Sequence, residues 1–354
     1  ELLPRSTGNF RLMEAHARLV RITFQNNIPI NELVARAQAD YKNLHRDMVL
    51  VCMPFYKIMY PEINMEKVST QRSEEDARSI FIRGVLDKIK GDHVSKDEFS
   101  DKIKATVDEV KTFIQANQLI DFPEETLNIE PMPRESQDFR WTHFLIPGAY
   151  ESNGTYTCQL APIADDLDDT QIESLLEEYN NFLLPFWAIR RVYPGQFIPL
   201  LETNQTPSLV RKLYPNMPLI KGWPVLIDEM LIYSGLENYD LRIRLSQLKY
   251  RLKAVIEFIV EFNVHQGSWT KEQAIAYMTR GGFITEVAAE KKWNSIILNP
   301  GDSVYAYVGM QEILDMQKEY KKLKGDAYSD KEFFNKLLSH GAIHLRELKK
   351  KMME

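Results

Sequence analysis

The chain has only two cysteines in 354 residues, Cys52 and Cys158, and they form no CxxC pair. That excludes a zinc knuckle and a disulfide scaffold. Two separate buried thiols are the expectation, because Cys packs as a small hydrophobe; one bridge is the alternative. No apolar run approaches the roughly 18 residues that span a bilayer, so no transmembrane segment is expected. A GxSxG nucleophile elbow and a phosphate-cradling GxxxxGK[ST] loop are both missing. The seven histidines are His16, His45, His93, His143, His265, His340 and His344, and none is followed by Glu. A His-Glu-x-x-His zinc helix is therefore absent as well. The formal net charge of -6 is spread over interspersed acids and bases. It lacks the clustered basic face of a nucleic-acid binder, so no nucleic-acid partner is expected.

What is present is ordinary globular composition, 44% hydrophobic and 27% charged, enough for a substantial core in one large or two medium domains. Helix signals dominate. Asn9 to Gln25 has helical apolar spacing. Asn31 reads as the cap of a second helix through Val51, and Ser73 and Ser95 open two more, Ser95 with Glu98 as a capping box. The charged stretch from Thr70 to Ala116 reads as a solvated helical pair. Pro123, Pro131 and Pro133 mark an extended connector between Asp121 and Arg134. Leu145 to Ser152 and Thr155 to Ala161 then flank Asn153-Gly154, the signature of a tight hairpin. Thr170 with Glu173 opens a helix towards Trp187, and Asp240 to His265 is long and apolar on one face. Thr270 with Gln273 caps the next helix; Gly301 to Lys324 and Ser329 to Met353 close the chain. His340 and His344 have the i,i+4 spacing of one helix face, but the intervening Gly341 and the missing Glu favour a surface or packing role over metal. His265 reads as a hydrogen-bonded core histidine.

Several motifs carry a resemblance. Arg190-Arg191-Val192-Tyr193-Pro194-Gly195-Gln196, Lys221-Gly222-Trp223-Pro224, Glu261-Phe262-Asn263-Val264-His265 and Pro300-Gly301-Asp302-Ser303 occur in that order. They resemble motifs of the bacterial domain of unknown function family 885, whose members carry a metallopeptidase-type signature. The likeness covers nearly the whole chain and includes Gly8-Asn9-Phe10-Arg11-Leu12 near its start, which resembles a mid-family segment. The family pattern His-Glu-x-x-Pro-Gly-His would place its ligands and general base at Arg190, Arg191 and Gln196. Its Glu-Gly-Trp-Ala would place an acid at Lys221. The Pro, Gly and Trp frame is kept; the chemical positions are changed.

The resemblance implies a mainly α, zincin-like helical domain with a long groove and a small β-hairpin or ribbon. Residues 1–135 would form a helical support and residues 136–354 the former catalytic region, the two sharing one core. No cofactor and no metal are expected, since Arg cannot lose its proton and so cannot ligate a metal. The leading reading is a non-catalytic homologue, its groove binding a peptide or another small anionic ligand through Arg190, Arg191, Tyr193, Gln196, Lys221, Trp223 and His265. One alternative is an active hydrolase with atypical ligands or no metal, using His265, Glu261, Asp228 and Glu229. Another is a structural or oligomeric partner. The cations could instead be neutralised internally by Asp228, Glu229 or Glu261. Helical spacing sends Arg190 and Arg191 in different directions, so only one should face the groove. The first residues, Glu-Leu-Leu-Pro-Arg-Ser, do not read as a signal peptide, and the chain does not start with Met. A processed or truncated product is expected, which leaves export by an upstream signal open.

Overall fold

The computed structural model describes residues 10–25, 28–63, 68, 73–133, 142–151 and 154–354. Among the described residues the chain opens with α1 (Glu14–Phe24), α2 (Ile30–Met59), α3 (Glu74–Ile89) and α4 (Phe99–Ala116). Strands β1 (Leu127–Pro131), β2 (Thr142–Leu145) and β3 (Tyr156–Leu160) form one small sheet in the order β1-β3-β2, parallel on one side of β3 and antiparallel on the other. The remainder is helical: α5 (Asp169–Glu178), α6 (Leu184–Arg191), α7 (Phe197–Gln205), α8 (Leu209–Leu213), α9 (Met217–Gly222), α10 (Pro224–Tyr233), α11 (Leu241–His265), α12 (Lys271–Gly282), α13 (Glu286–Leu298), α14 (Asp302–Lys324), α15 (Asp330–Ser339) and α16 (Leu345–Met353). The architecture is thus mainly helical with a small β element. Among the described residues no helix is long and apolar enough to cross a membrane.

Several boundaries differ from the sequence expectation, each for a local reason. The second helix starts after Pro29 rather than at Asn31 and continues past Val51 through Pro54 to Met59. Packing of buried Cys52 and Tyr56 carries it past the proline. At Ser95 the capping box is only half formed. Glu98 accepts from the Ser95 backbone N–H, but the Ser95 hydroxyl donates to Glu98 as well, and α4 begins only at Phe99. The box expected at Thr170 is made by Asp168 with Gln171. The helix it opens stops at Glu178, because Asn180 Oδ1 accepts from the N–H groups of Phe182 and Leu183 and starts a new one. The caps at Ser73 and Thr270 stand where the sequence puts them.

The expected hairpin is wider than a two-residue turn. β2 ends at Leu145, where Leu145 pairs with Thr157, and Pro147 follows in the connection. Asn153 and Ser152 lie outside the described residues, as do Gly8 and Asn9. The proline-rich connector contributes β1. The last helix is two, α15 and α16, with Gly341 at φ 64° between them. His340 and His344 therefore do not share a helix face: His340 ends α15 and His344 caps α16.

One cluster of buried side chains reaches from Val20 to Met352 and includes residues on both sides of position 135. Its axis is α11, which packs on α2, α12 and α14. Helices α9 and α14 approach so closely that a Cβ on Gly222 would lie 2.6 Å from Met310 N. A glycine there is a condition of the crossing. Cys52 and Cys158 are buried and unbridged, and burial pushes both thiols up to about 12.

Candidate functional site

The frame of the expected site is built at the end of α6. Leu184 to Arg190 are all buried, so this short helix is anchored on every side. The chain then turns through Val192 and Tyr193 to Gly195. A Cβ at Gly195 would run into the carbonyl oxygens of Ile189 and Arg190, so only glycine lets the chain fold back over the helix end. The Gly195 carbonyl accepts a 2.8 Å bond from Trp223 Nε1, tying α6 to the start of α10. Trp223 is fully buried, with its ring against Phe334. Tyr193 is fully buried too, packed on Phe122 and Phe197.

Arg190 points inward. Its Nε donates to Asp228 Oδ2 at 2.8 Å, Nη2 donates to the same oxygen, and Nη1 donates to the Tyr250 carbonyl at 2.9 Å. The guanidinium also lies over the Tyr250 ring. Asp228 Oδ1 accepts from Gln247 at 3.0 Å. Each guanidinium nitrogen of Arg190 and both carboxylate oxygens of Asp228 have a partner.

Arg191, one residue on, faces a cavity of about 640 Å³ enclosed by α5, α6, α9, α11, α13, α14 and β2. The walls carry five basic side chains, Arg191, Lys221, Lys253, Lys291 and Lys292, against three carboxylates, Glu178, Glu257 and Asp302. Gln196 and His143 also line it. Lys253 donates to Glu178 at 3.0 Å, Lys292 pairs with Glu257 at 2.8 Å, and Lys221 pairs with Asp302. Burial works against the charge on Glu178, but Lys249 and Lys253 outweigh it and hold its carboxyl down to about 2. Arg191 makes no ion pair among the described residues; its neighbours are the Tyr250 hydroxyl and, at longer range, Glu257. Its side chain is exposed towards the cavity. Burial, then the nearby Arg191 and Lys292 cations, push the Lys221 amine down to about 7. The Asp302 carboxylate in contact with it opposes that push.

Glu261 and His265 stand apart from this cavity. Glu261 Oε1 accepts from the Gly301 N–H at 2.5 Å and Oε2 from the Ser303 N–H at 3.0 Å, so it caps α14 from the interior. His16 Nε2 reaches the same carboxylate at 3.1 Å and stacks on His265, which bonds the Ile296 carbonyl. Glu229 on α10 pairs with Arg251 and Arg244. The four residues of the hydrolase alternative are thus not gathered at one place.

The arrangement does not suit the metal that the family's metallopeptidase-type signature would hold. Among the described residues no three His, Cys, Asp or Glu side chains are placed to hold a metal ion. His16, Glu261 and His265 lie close together, but both Glu261 oxygens are committed to helix capping. Of the residues named from sequence, Arg191, Gln196 and Lys221 meet at the cavity, while Arg190, Tyr193, Trp223 and His265 are engaged in the core. Lys253, Glu257, Lys291 and Lys292 were missed as site residues. The i,i+4 pair Lys253 and Glu257 is the available signal in the sequence.

The family model described as "Bacterial protein of unknown function (DUF885)" matches residues 1–352. Among solved structures, the chain is similar to a candidate lipoprotein of unknown function from Shewanella oneidensis, with a TM-score of 0.84 and 26% identity over 100% of this chain and 62% of that one. A candidate lipoprotein from Colwellia psychrerythraea superposes with a TM-score of 0.75 at 16% identity, over 99% of this chain and 57% of that one, a likeness of fold alone. The chain spans about three fifths of the length of these relatives. A search of curated proteins finds no match.

Proposed function

We propose, from the premise that this chain belongs to the bacterial family of unknown function DUF885, that it is a non-catalytic binding protein. Its ligand is a small anion of the peptide-carboxylate class, held in the cavity beside Arg191 and Lys221. The observation that supports this most is the excess of basic side chains on the cavity wall, with Arg191 outside any ion pair among the described residues. A guanidinium presents two parallel donors that match a carboxylate, and an enclosed site strengthens that bond over its value in open water. The internally paired Lys221, Lys253 and Lys292 hold the wall together without using up Arg191.

Calorimetric titration at low salt with sulfate and with short acidic peptides tests the reading. The intact protein should bind, and Arg191→Gln should lose tenfold or more in affinity, about 1.4 kcal/mol, with little change in melting temperature. Absence of any anion binding by the intact protein would discard it.

A further inference from the structure

The cavity has a side chamber. A recess of about 70 Å³ shares Arg191, Gln196, Lys221, Lys253, Glu257 and Asp302 with the main cavity, so the two are continuous. Beyond that charged rim its character changes. The walls there are mostly apolar, Ile220, Pro224, Val225, Ala254 and Ala306, joined by Tyr250, Ser303 and the paired Arg190. Ser303 is 2% exposed and its Oγ has no hydrogen-bond partner.

We infer that this recess is a side-chain subsite, and that the ligand is a peptide whose free C-terminal residue carries a small aliphatic side chain of valine size. The inference rests on the anion-binding reading of the same cavity and adds what the anion is attached to. The rim that carries Arg191, Lys221 and Lys253 opens onto this mostly apolar recess. In a C-terminal residue the carboxylate and the side chain leave the same Cα, so one residue fills both. The size follows from volume. An apolar cavity of roughly 150 Å³ takes a benzene ring, so about half that volume takes roughly three carbons. Glycine leaves the recess empty, and leucine or phenylalanine overfills it. Arg190 adds no competing charge, because Asp228 already holds it.

The test is calorimetric titration of the full chain with tetrapeptides Gly-Gly-Gly-X, where X is Gly, Ala, Val, Leu or Phe, and with the Val peptide as its C-terminal amide. The Val peptide should bind about tenfold tighter than the Gly peptide, the gain expected when a buried isopropyl group leaves water. The Phe peptide should bind no tighter than the Gly peptide, and the amide should lose most of the affinity. Ala306→Leu, which fills the recess, should narrow the Val-to-Gly ratio to below threefold. Binding of all the free-acid peptides with no dependence on X overturns the subsite and leaves the anion reading intact. Binding of sulfate with none of the peptides does the same. Failure of peptides and sulfate alike overturns both.

Discussion

Arg190 and Arg191 are adjacent in sequence and both border the small recess, but they meet different partners. Arg190 is 8% exposed and completes a buried lattice with Asp228, Gln247 and the Tyr250 carbonyl. Arg191 lies on the wall of a water-accessible cavity with no ion-pair partner among the described residues. A rotation of about 100° per helical residue separates them. The difference shows that positive charge at an altered site has two distinct uses. In the lattice it neutralises a buried carboxylate and confers rigidity. On the cavity wall it is left available to a guest.

The largest expected effect lies on the lattice side. Trp223→Ala removes a fully buried ring and its bond to the Gly195 carbonyl. It should cost about 3–5 kcal/mol of stability, read as a fall in melting temperature or denaturation midpoint. An unchanged melting temperature would show that Trp223 is not part of the packing that holds α6 to α10.

Next comes Arg190→Gln, which leaves Asp228 buried with only Gln247 as partner. The cost should be about 3 kcal/mol, because a lone buried carboxylate is expensive, while affinity for sulfate stays within twofold of the intact protein. Measuring both quantities on the same variant sharpens the comparison. A large loss of affinity with little loss of stability would erase the distinction between the two arginines.

How much of this was readable beforehand follows the range of the interaction. Capping signals at Ser73 and Thr270 are contained in four residues, and they hold. The different partners of Arg190 and Arg191 accord with the rotation of about 100° per helical residue. The hairpin turn was placed too tightly because Asn153-Gly154 is a local signal, whereas β3 also pairs with β1 across a long loop. The cavity wall could not be assembled from sequence. Arg191, Lys253 and Lys292 are brought together only by the packing of α6, α11 and α13, and no short motif encodes that. The partner of Arg190 was among three candidates, and the packing of α10 against α6 selects Asp228.

The smallest effect, and the one that tests the cavity side most finely, comes from pH. Burial and the cations Arg191 and Lys292 depress Lys221 to about 7 from 10.5, against the pull of Glu257 and Glu261 and of the contacting Asp302. Near neutrality this lysine therefore changes charge in the folded protein while remaining charged in the unfolded chain. Two trends of opposite sign follow. Between pH 7 and about 10 the unfolded chain binds the extra proton, so unfolding free energy rises with pH, on the order of 2 kcal/mol by pH 9. Anion affinity instead falls over pH 6 to 8, because the neutral amine no longer attracts the guest. Binding at pH 7 should accordingly take up a fraction of a proton, visible as a dependence of the calorimetric enthalpy on buffer ionisation. His143 also lines the cavity, so the contribution of Lys221 is the difference between the intact protein and Lys221→Gln. That variant should flatten both trends together. If it flattened neither, the titrating group would lie elsewhere, and Lys221 would belong with Arg190 among the permanently paired cations.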